Sequence, residues 1–377
     1  MLHVVGLMSG TSLDGVDAAL LETDGIRIGR RGPAVSLGFT PALRTTLRML
    51  LDRASTLATD DPTLLEAEQA LTRVHVDAVH AVLEQARSED DGWRADLLGF
   101  HGQTILHAPA RRFTWQIGDA ALLSRETGLP VIHDFRSADV AAGGEGAPLA
   151  PFYHAALLAA HPGPVAILNI GGVANVTLVD SAGTIHACDT GPGNALLDDW
   201  AERHTGIPCD VDGQLAQAGR VDQTIVDALL ADPFFRLPPP KSLDRLSFGR
   251  AMQAVEHLGA EDGAATLAAF TVQAVRRTKL PEDPVAWYVC GGGRHNPVLM
   301  NGLRRAMNMP VEPVERLGWD GDALEAECFG FLAARSVRGL PLSGPATTGA
   351  PRMMPGGLLT CSGLATPLRS VGWLRDG

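Results

Sequence analysis

The chain opens with an apolar run, His3-Val4-Val5-Gly6-Leu7, then a polar stretch rich in hydroxyls and glycine, Ser9 to Gly15, then a second apolar run, Val16 to Leu21. Two short apolar runs across such a stretch predict strand, turn, strand. Asp14-Gly15 predicts the tight turn itself, because glycine accepts the positive φ that hairpin turns need. The pattern returns at Val165–Ile170, a turn over Gly171-Gly172-Val173-Ala174-Asn175, and Val176–Val179. Two such hairpins, each opening a domain-sized segment, suggest a duplicated architecture. Further strands are predicted at 36–42, Asp96–Phe100, Val131–Ile132, Thr184–Cys188 and Ala286–Cys290. Between them the period lengthens. Leu64, Ala67, Leu71, Val74, Ala78 and Val82 recur every three or four residues behind Asp61-Pro62, an N-cap and first-turn pair. Helices are also predicted at Leu43–Arg53, Ala120–Thr127, Ala195–His204, Ala264–Thr278, from Asn296-Pro297 onward, and at Leu324–Arg335. Strands interleaved with helices make an α/β protein. The small residues from Ala141 to Pro148 mark a hinge or a ligand-facing loop. They place a boundary between a first domain, 1–140 with part of about 340–377, and a second, 141–339.

Length agrees with that division, since 377 residues at roughly 150 per domain give two cores. The net charge of −12 argues against nucleic acid as a partner. Lys241 and Lys279 are the only lysines, and neither follows a glycine, so there is no Walker A loop. The five cysteines are scattered without a Cys-x-x-Cys pair, which excludes a zinc knuckle and gives no disulfide framework. No apolar run approaches the roughly 18 residues of a membrane span, and the first strand pattern is not preceded by a basic leader. The expected setting is the reducing cytoplasm.

Polar residues gather where predicted strands end, which is where open α/β sheets hold ligands. His101-Gly102-Gln103-Thr104 follows one strand, with His107 close behind. Two histidines six apart with no nearby acid or cysteine suit sugar or phosphate hydrogen bonding better than a metal. His75 and His80 lie on the long helix and read as packing or surface residues. Asp189-Thr190-Gly191-Pro192-Gly193-Asn194 follows another strand and precedes a helix. Asp189 there is either a general base or a cap for that helix. Gly191-x-Gly193 lacks the third glycine of a dinucleotide fingerprint, because position 196 is leucine. Gly291-Gly292-Gly293 after a strand allows close approach to a flat ligand.

Taken together, these motifs resemble the anhydro-N-acetylmuramic acid kinase family. The matching residues run from Gly6 to Asp17 and continue through His101–Thr104, Gln116–Asp119, Asp134–Arg136, Leu168–Asn175, Asp189–Asn194, Gly291–Asn296 and Leu324–Ala326. The likeness is loose only over the last thirty or so residues. It implies two actin-like (ribonuclease H-like) α/β domains flanking a deep nucleotide and substrate cleft. It also implies a reaction: water opens the 1,6-anhydro ring of anhydro-N-acetylmuramic acid, and ATP phosphorylates O6, within cell-wall recycling. By the same resemblance Asp189 is the base and a sugar contact, and Glu325 a second catalytic acid. Thr104, His107 and Arg136 bind the sugar, with the arginine suited to the lactyl carboxylate. Gly10, Thr11, Ser12, Leu13, Asp14, Gly15, Val16 and Asp17 hold the β- and γ-phosphates. Gly171, Gly172, Asn175, Gly291, Gly292 and Gly293 line the ATP. Asp14 belongs to the shell around Mg²⁺, directly or through water. A homodimer is implied as well, with no nucleic acid or membrane partner. An ordinary sugar kinase of the same fold, or a nucleotide-gated binding module, remains open on the residues alone. Helix phase leaves open whether Glu325 or Glu327 faces the ligands.

Overall fold

A computed structural model describes residues 1–10, 12–161, 163–243 and 249–361. They form two compact units. The strands of the first part of the chain are β1 (Leu2–Ser9), β2 (Gly15–Thr23), β3 (Ile28–Gly38), β4 (Leu97–Ala108), β5 (Phe113–Ile117) and β6 (Val131–His133). Then come β7 (Val165–Ile170), β8 (Val173–Val179), β9 (Ile185–Pro192), β10 (Ala286–Cys290), β11 (Val311–Pro313) and β12 (Leu358–Thr360).

In the first unit the sheet order is β12-β6-β4-β1-β2-β3, with β5 pairing β4. β1, β2 and β3 form an antiparallel meander, while β4 runs parallel to β1 and β6 parallel to β4. The second unit has the order β11-β10-β7-β8-β9, again an antiparallel meander extended by two parallel strands. One topology thus occurs twice, as the repeated hairpin pattern suggested.

The first hairpin turns differently from the sequence expectation. Leu13 takes the left-handed conformation, φ +58°. Its side chain is buried with Leu47, Leu50 and Leu71, which holds that conformation in place. Gly15 is needed for room, since a Cβ there would stand 2.2 Å from the Leu37 carbonyl oxygen. The third strand begins at Ile28 and ends before Pro41, which starts a helix, so the expected strand over 36–42 is shifted. β4 is much longer than the predicted Asp96–Phe100. β5 folds back on it, Gln103 opposite Ile117 and His107 opposite Thr114 with a register shift between Thr104 and Leu106, and supplies partners that keep it extended. The sequence from His101 to His107 is therefore strand, not a loop beyond one.

The boundary also moves. The first unit comprises Met1–Leu157, Ala323–Pro345 and the described residues from Ala350 on; the second is Leu158–Asp322 with Ala346–Gly349. The 141–148 stretch lies inside the first unit, and helix Leu324–Val337 belongs to the first unit rather than the second. Two glycines explain that placement. A Cβ on Gly6 would lie 1.8 Å from the Ala326 carbonyl oxygen, and one on Gly99 2.1 Å from that of Phe329. The helix rests with its backbone on β1 and β4.

Helix Pro62–Glu89 begins as expected, with Asp61 accepting from the Thr63 and Leu64 amides at 2.9 and 3.3 Å. Its apolar face carries His75, fully buried, donating from Nδ1 to the Leu71 carbonyl at 2.9 Å and meeting Phe100 edge-on. His80 is exposed. The second unit centres on helix Ala260–Arg277, against which Trp200 packs and donates from Nε1 to the Ala260 carbonyl at 2.8 Å. No helix among the described residues is long and apolar enough to cross a membrane.

Burial pushes the imidazoles of His75 and His154 down to about 4. An unfolded histidine takes up its proton near 6.5, so stability is full above that pH and falls as pH drops from 6.5 toward 4. At about 1.4 kcal/mol per pH unit, each residue removes on the order of 2 kcal/mol by pH 5. His75→Phe, which keeps a ring against Phe100, is expected to narrow the Tm difference between pH 7.5 and pH 5. Thermal unfolding at the two pH values checks this, and an unchanged difference refutes it.

Candidate active site

In the first unit, polar side chains of β4 and β5 form one chain of hydrogen bonds. Gln116 Nε2 donates to the hydroxyls of Thr104 (3.1 Å) and Thr114 (2.8 Å). The Thr114 hydroxyl meets His107 Nδ1 at 2.9 Å, and His107 Nε2 meets the Glu145 carbonyl at 2.9 Å. A carbonyl only accepts, so the His107 proton sits on Nε2 and the Thr114 hydroxyl donates to Nδ1. The Gly146 amide beyond Glu145 is held by Asp139 Oδ1 at 2.7 Å, and the Ser343 hydroxyl donates to the other oxygen of that carboxylate.

Arg136 follows β6 and points its guanidinium into this environment. Nε donates to His101 Nε2 at 3.0 Å and Nη1 to the Gly146 carbonyl at 2.7 Å. His101 is buried, donates from Nδ1 to the Gly102 carbonyl at 2.8 Å, and lies against the Phe329 ring at 4.4 Å between centroids. Burial, then the neighbouring Arg136 charge, hold its pKa well below the usual histidine value. Burial also lowers the Arg136 pKa, against the opposing fields of Glu325, Cys328 and Asp139. Among the described residues no carboxylate forms an ion pair with Arg136.

In the second unit, Asp189 lies within β9 opposite Asn175, and is 7% exposed. Its Oδ2 accepts from the Leu243 amide at 2.8 Å and the Ser242 hydroxyl at 3.3 Å, while its own amide donates to the Lys241 carbonyl at 2.9 Å. Segment 241–243 is thus strapped across the acid. Lys241 is buried beside it, donating to the Phe234 carbonyl at 3.2 Å and lying over the Phe234 ring. Burial lowers the Lys241 pKa, and the charges of Cys188 and Asp189 oppose that. The cap reading of Asp189 fails, because helix Ala195–Thr205 starts behind Asn194 and has no side-chain cap.

The glycine motifs of this unit converge. The Gly171 carbonyl accepts from the Asn194 amide at 2.7 Å, and that of Gly172 from Gly193 at 3.0 Å. A Cβ on Gly291 would stand 2.3 Å from Asn169 Oδ1, and one on Gly293 2.3 Å from the Ile170 side chain. Arg294 anchors the triple-glycine turn. It donates to the Gly291 carbonyl (3.1 Å), to Glu315 Oε1 from Nε (2.8 Å) and to Asp322 from both Nη atoms (2.9 and 2.7 Å).

The family model for anhydro-N-acetylmuramic acid kinase matches residues 2–361, which spans both glycine-turn hairpins, the Arg136 region and the Asp189 region. The chain belongs to the anhydro-N-acetylmuramic acid kinase family. It is 57% identical over 365 residues to the anhydro-N-acetylmuramic acid kinase of Acidiphilium cryptum, covering 97% of this chain and 99% of that one. It is 58% identical over 355 residues to that of Gluconobacter oxydans, covering 93% and 97%. Among solved structures it aligns with a ROK family glucokinase from Streptomyces griseus in complex with glucose and AMPPNP, at 14% identity and a TM-score of 0.38, over 88% of this chain and 99% of that one. Membership makes the chain a sugar kinase.

Several residues singled out for this kinase chemistry sit where direct contact is open to them; others do not. In the first hairpin Gly10, Ser12 and Asp14 are accessible, Asp14 with Arg44 Nη2 at 3.5 Å. Thr11 lies outside the described residues. Leu13 and Val16 are core side chains and offer a ligand only their backbone. Gly15 is spent on strand pairing, and Asp17 accepts from the Ser36 hydroxyl. Both ring nitrogens of His107 are engaged within the unit. The phase of helix Leu324–Val337 is now set. Glu327 is buried, accepts from the Tyr153 hydroxyl and has Arg31 at 3.9 Å, whereas Glu325 is exposed on the side whose field reaches Arg136. His101's grip on Arg136, the 241–243 strap, Asn194 and Arg294 escaped sequence reasoning. Arg294 and Asn194 were inside matched motifs, but their partners are distant in sequence.

Arg294→Met removes the anchor of the triple-glycine turn. Its expected effect is a lower Tm, because Glu315, Asp322 and the Gly291 carbonyl lose their shared donor. Thermal unfolding beside the native protein tests it; an unaltered Tm would show that the turn does not depend on this anchor.

Proposed function

We propose that the chain opens the 1,6-anhydro ring of anhydro-N-acetylmuramic acid with water and phosphorylates O6 from ATP, with Asp189 as general base. The observation that carries this reading is Asp189 itself: a buried carboxylate in a family motif, oriented through Oδ2 by the Leu243 amide and Ser242 hydroxyl, and capping no helix. Asp189 takes a proton from water as the water oxygen bonds to C1. The C1–O6 bond breaks, and the O6 electron pair attacks the γ-phosphorus. The bond to the bridging oxygen breaks in turn, and the products are N-acetylmuramic acid 6-phosphate and ADP. Catalysis of such a transfer is chiefly positioning and charge stabilisation.

The first unit supplies the sugar's anchors. Arg136 takes the lactyl carboxylate and the Thr104 hydroxyl a sugar oxygen, while His107 shapes the same surface by holding the Glu145–Gly146 backbone. Glu325 is the exposed acid that helps orient the water. The polar turn from Gly10 to Asp17 receives the β- and γ-phosphates, and Gly171, Gly172, Asn175 and Gly291–Gly293 the rest of the ATP. Mg²⁺ prefers oxygen ligands and keeps several waters, and the exposed Asp14 carboxylate fits that demand. When bound, the ion would neutralise phosphate charge. The protein acts in the cytoplasm as a homodimer.

Reaction in ¹⁸O-labelled water, sampled early and read by mass spectrometry, is expected to place ¹⁸O at the anomeric position of the phosphorylated product. Asp189→Asn keeps the shape and an acceptor for the Leu243 amide, and should lower kcat by roughly 10²- to 10⁴-fold. Phosphorylation of an ordinary hexose without turnover of the anhydro sugar would instead mark a plain kinase.

A further inference from the structure

Arg136 is held by two partners, and both are neutral. Its Nε–H donates to the His101 imidazole and its Nη1 to the Gly146 carbonyl. Among the described residues Nη2 has no hydrogen-bond partner, so the end of the guanidinium formed by Nη1 and Nη2 keeps N–H groups for a ligand. A carboxylate is the usual partner for an arginine Nε–H at such a position, and it would bring a neutralising charge. Here an imidazole takes that place, and its protonation state is constrained. Nδ1 is committed as a donor to the Gly102 carbonyl, which leaves Nε2 as the acceptor. A second proton on Nε2 would face the guanidinium N–H directly. The ring is also buried against Phe329, and burial keeps its pKa well below the usual value. The acids whose fields reach Arg136 are Glu325 and Asp139; neither forms an ion pair with it, and Asp139 is engaged with the Gly146 amide and the Ser343 hydroxyl.

We propose that His101 is a positioning and specificity-determining residue: its neutral imidazole fixes the Arg136 guanidinium without cancelling its charge, and so restricts the site to anhydro sugars bearing an anionic substituent. This rests on the reading of Arg136 as the anchor of the lactyl carboxylate. A half-buried cation fixed by neutral acceptors keeps more of its attraction for an incoming anion than one already paired with a carboxylate. The imidazole also orients the fork, so that an end-on carboxylate meets two parallel N–H groups.

The test compares kcat and KM for anhydro-N-acetylmuramic acid with those for its neutral methyl ester at the lactyl carboxyl, and measures the KM for ATP alongside. The native protein should prefer the acid. His101→Phe should reduce that preference by roughly ten- to a hundredfold, through the KM of the acid and not of the ATP. His101→Gln offers a neutral acceptor and should keep most of the preference. His101→Glu offers an acceptor of the same length with a charge, and should lose the preference as fully as Arg136→Met does. If Arg136→Met itself keeps the preference, the anchor reading fails. If Arg136→Met abolishes it while His101→Phe and His101→Glu retain it, the role given to His101 is overturned. Should His101→Phe unfold, the Gln and Glu variants decide: equal preference in the two overturns the proposal.

Discussion

Helix Leu324–Val337 lies on the sheet of the first unit with no side chain between the two backbones. Gly6 and Gly99 make this contact, and a Cβ on Gly330 in the helix would in turn strike Leu21, 2.4 Å away. Such an approach fixes the rotation of the helix as well as its position. At 100° per residue, an error of one residue in phase would turn every functional side chain away from its partner. With the phase fixed, Glu327 points inward to Tyr153 and Arg31, Glu325 stays exposed, and Phe329 comes to rest against His101. The packing of three glycines is thus the condition for the Arg136 arrangement. Larger residues at Gly6 or Gly99 would dislodge the wall on which His101 leans.

Three arginines, two buried and one half-buried, show what the surroundings select. Arg294 is met by two carboxylates and a carbonyl, which suits a residue whose task is to hold a turn. Arg335 is met by the carbonyls of Pro341 and Gly25 and lies over the rings of Phe152 and Phe331, so aromatic faces stand in for an anion. Arg136 has a carbonyl and a neutral imidazole, and the Phe329 ring lies 5.9 Å from its guanidinium. Arg136, like Arg335, thus has neutral hydrogen-bond partners among the described residues, and acids act on it through the fields of Glu325 and Asp139.

The repeated hairpins, the interleaved helices, the Asp61 cap and the motif residues around Asp189 were legible because each is a local pattern. What escaped was set by partners far along the chain. β4 continues past Gln103, where its pairing with β1 ends, because β5 pairs with it, and no alternation within β4 announces that. Leu13 adopts a positive φ because a core formed by two later helices takes its side chain, overriding the preference that pointed to Gly15. The helix Leu324–Val337 is apolar almost all round, so its sequence could not tell which acid faces outward or to which unit it belongs. Arg294 carries no sign in its neighbours that Glu315 and Asp322 await it.

The two units share a topology, yet their first hairpins have diverged. Pairing of β7 with β8 reaches Ile170 opposite Ala174, so little more than Gly171 and Gly172 remains to turn the chain, and both of their carbonyls are taken by the 193–195 backbone. Pairing of β1 with β2 stops at Met8 opposite Asp17 and leaves a longer polar loop, pinned by Leu13 and by a Leu13 amide to Gly10 carbonyl bond of 3.2 Å. The second turn is thus fixed by backbone bonds to the 193–195 segment, and the first by a side chain placed in a core that helices Pro41–Arg53 and Pro62–Glu89 build. One pairing topology is closed by two different devices, and a substitution at Leu13 would be felt in the core where one at Gly171 would be felt in the backbone of its neighbour.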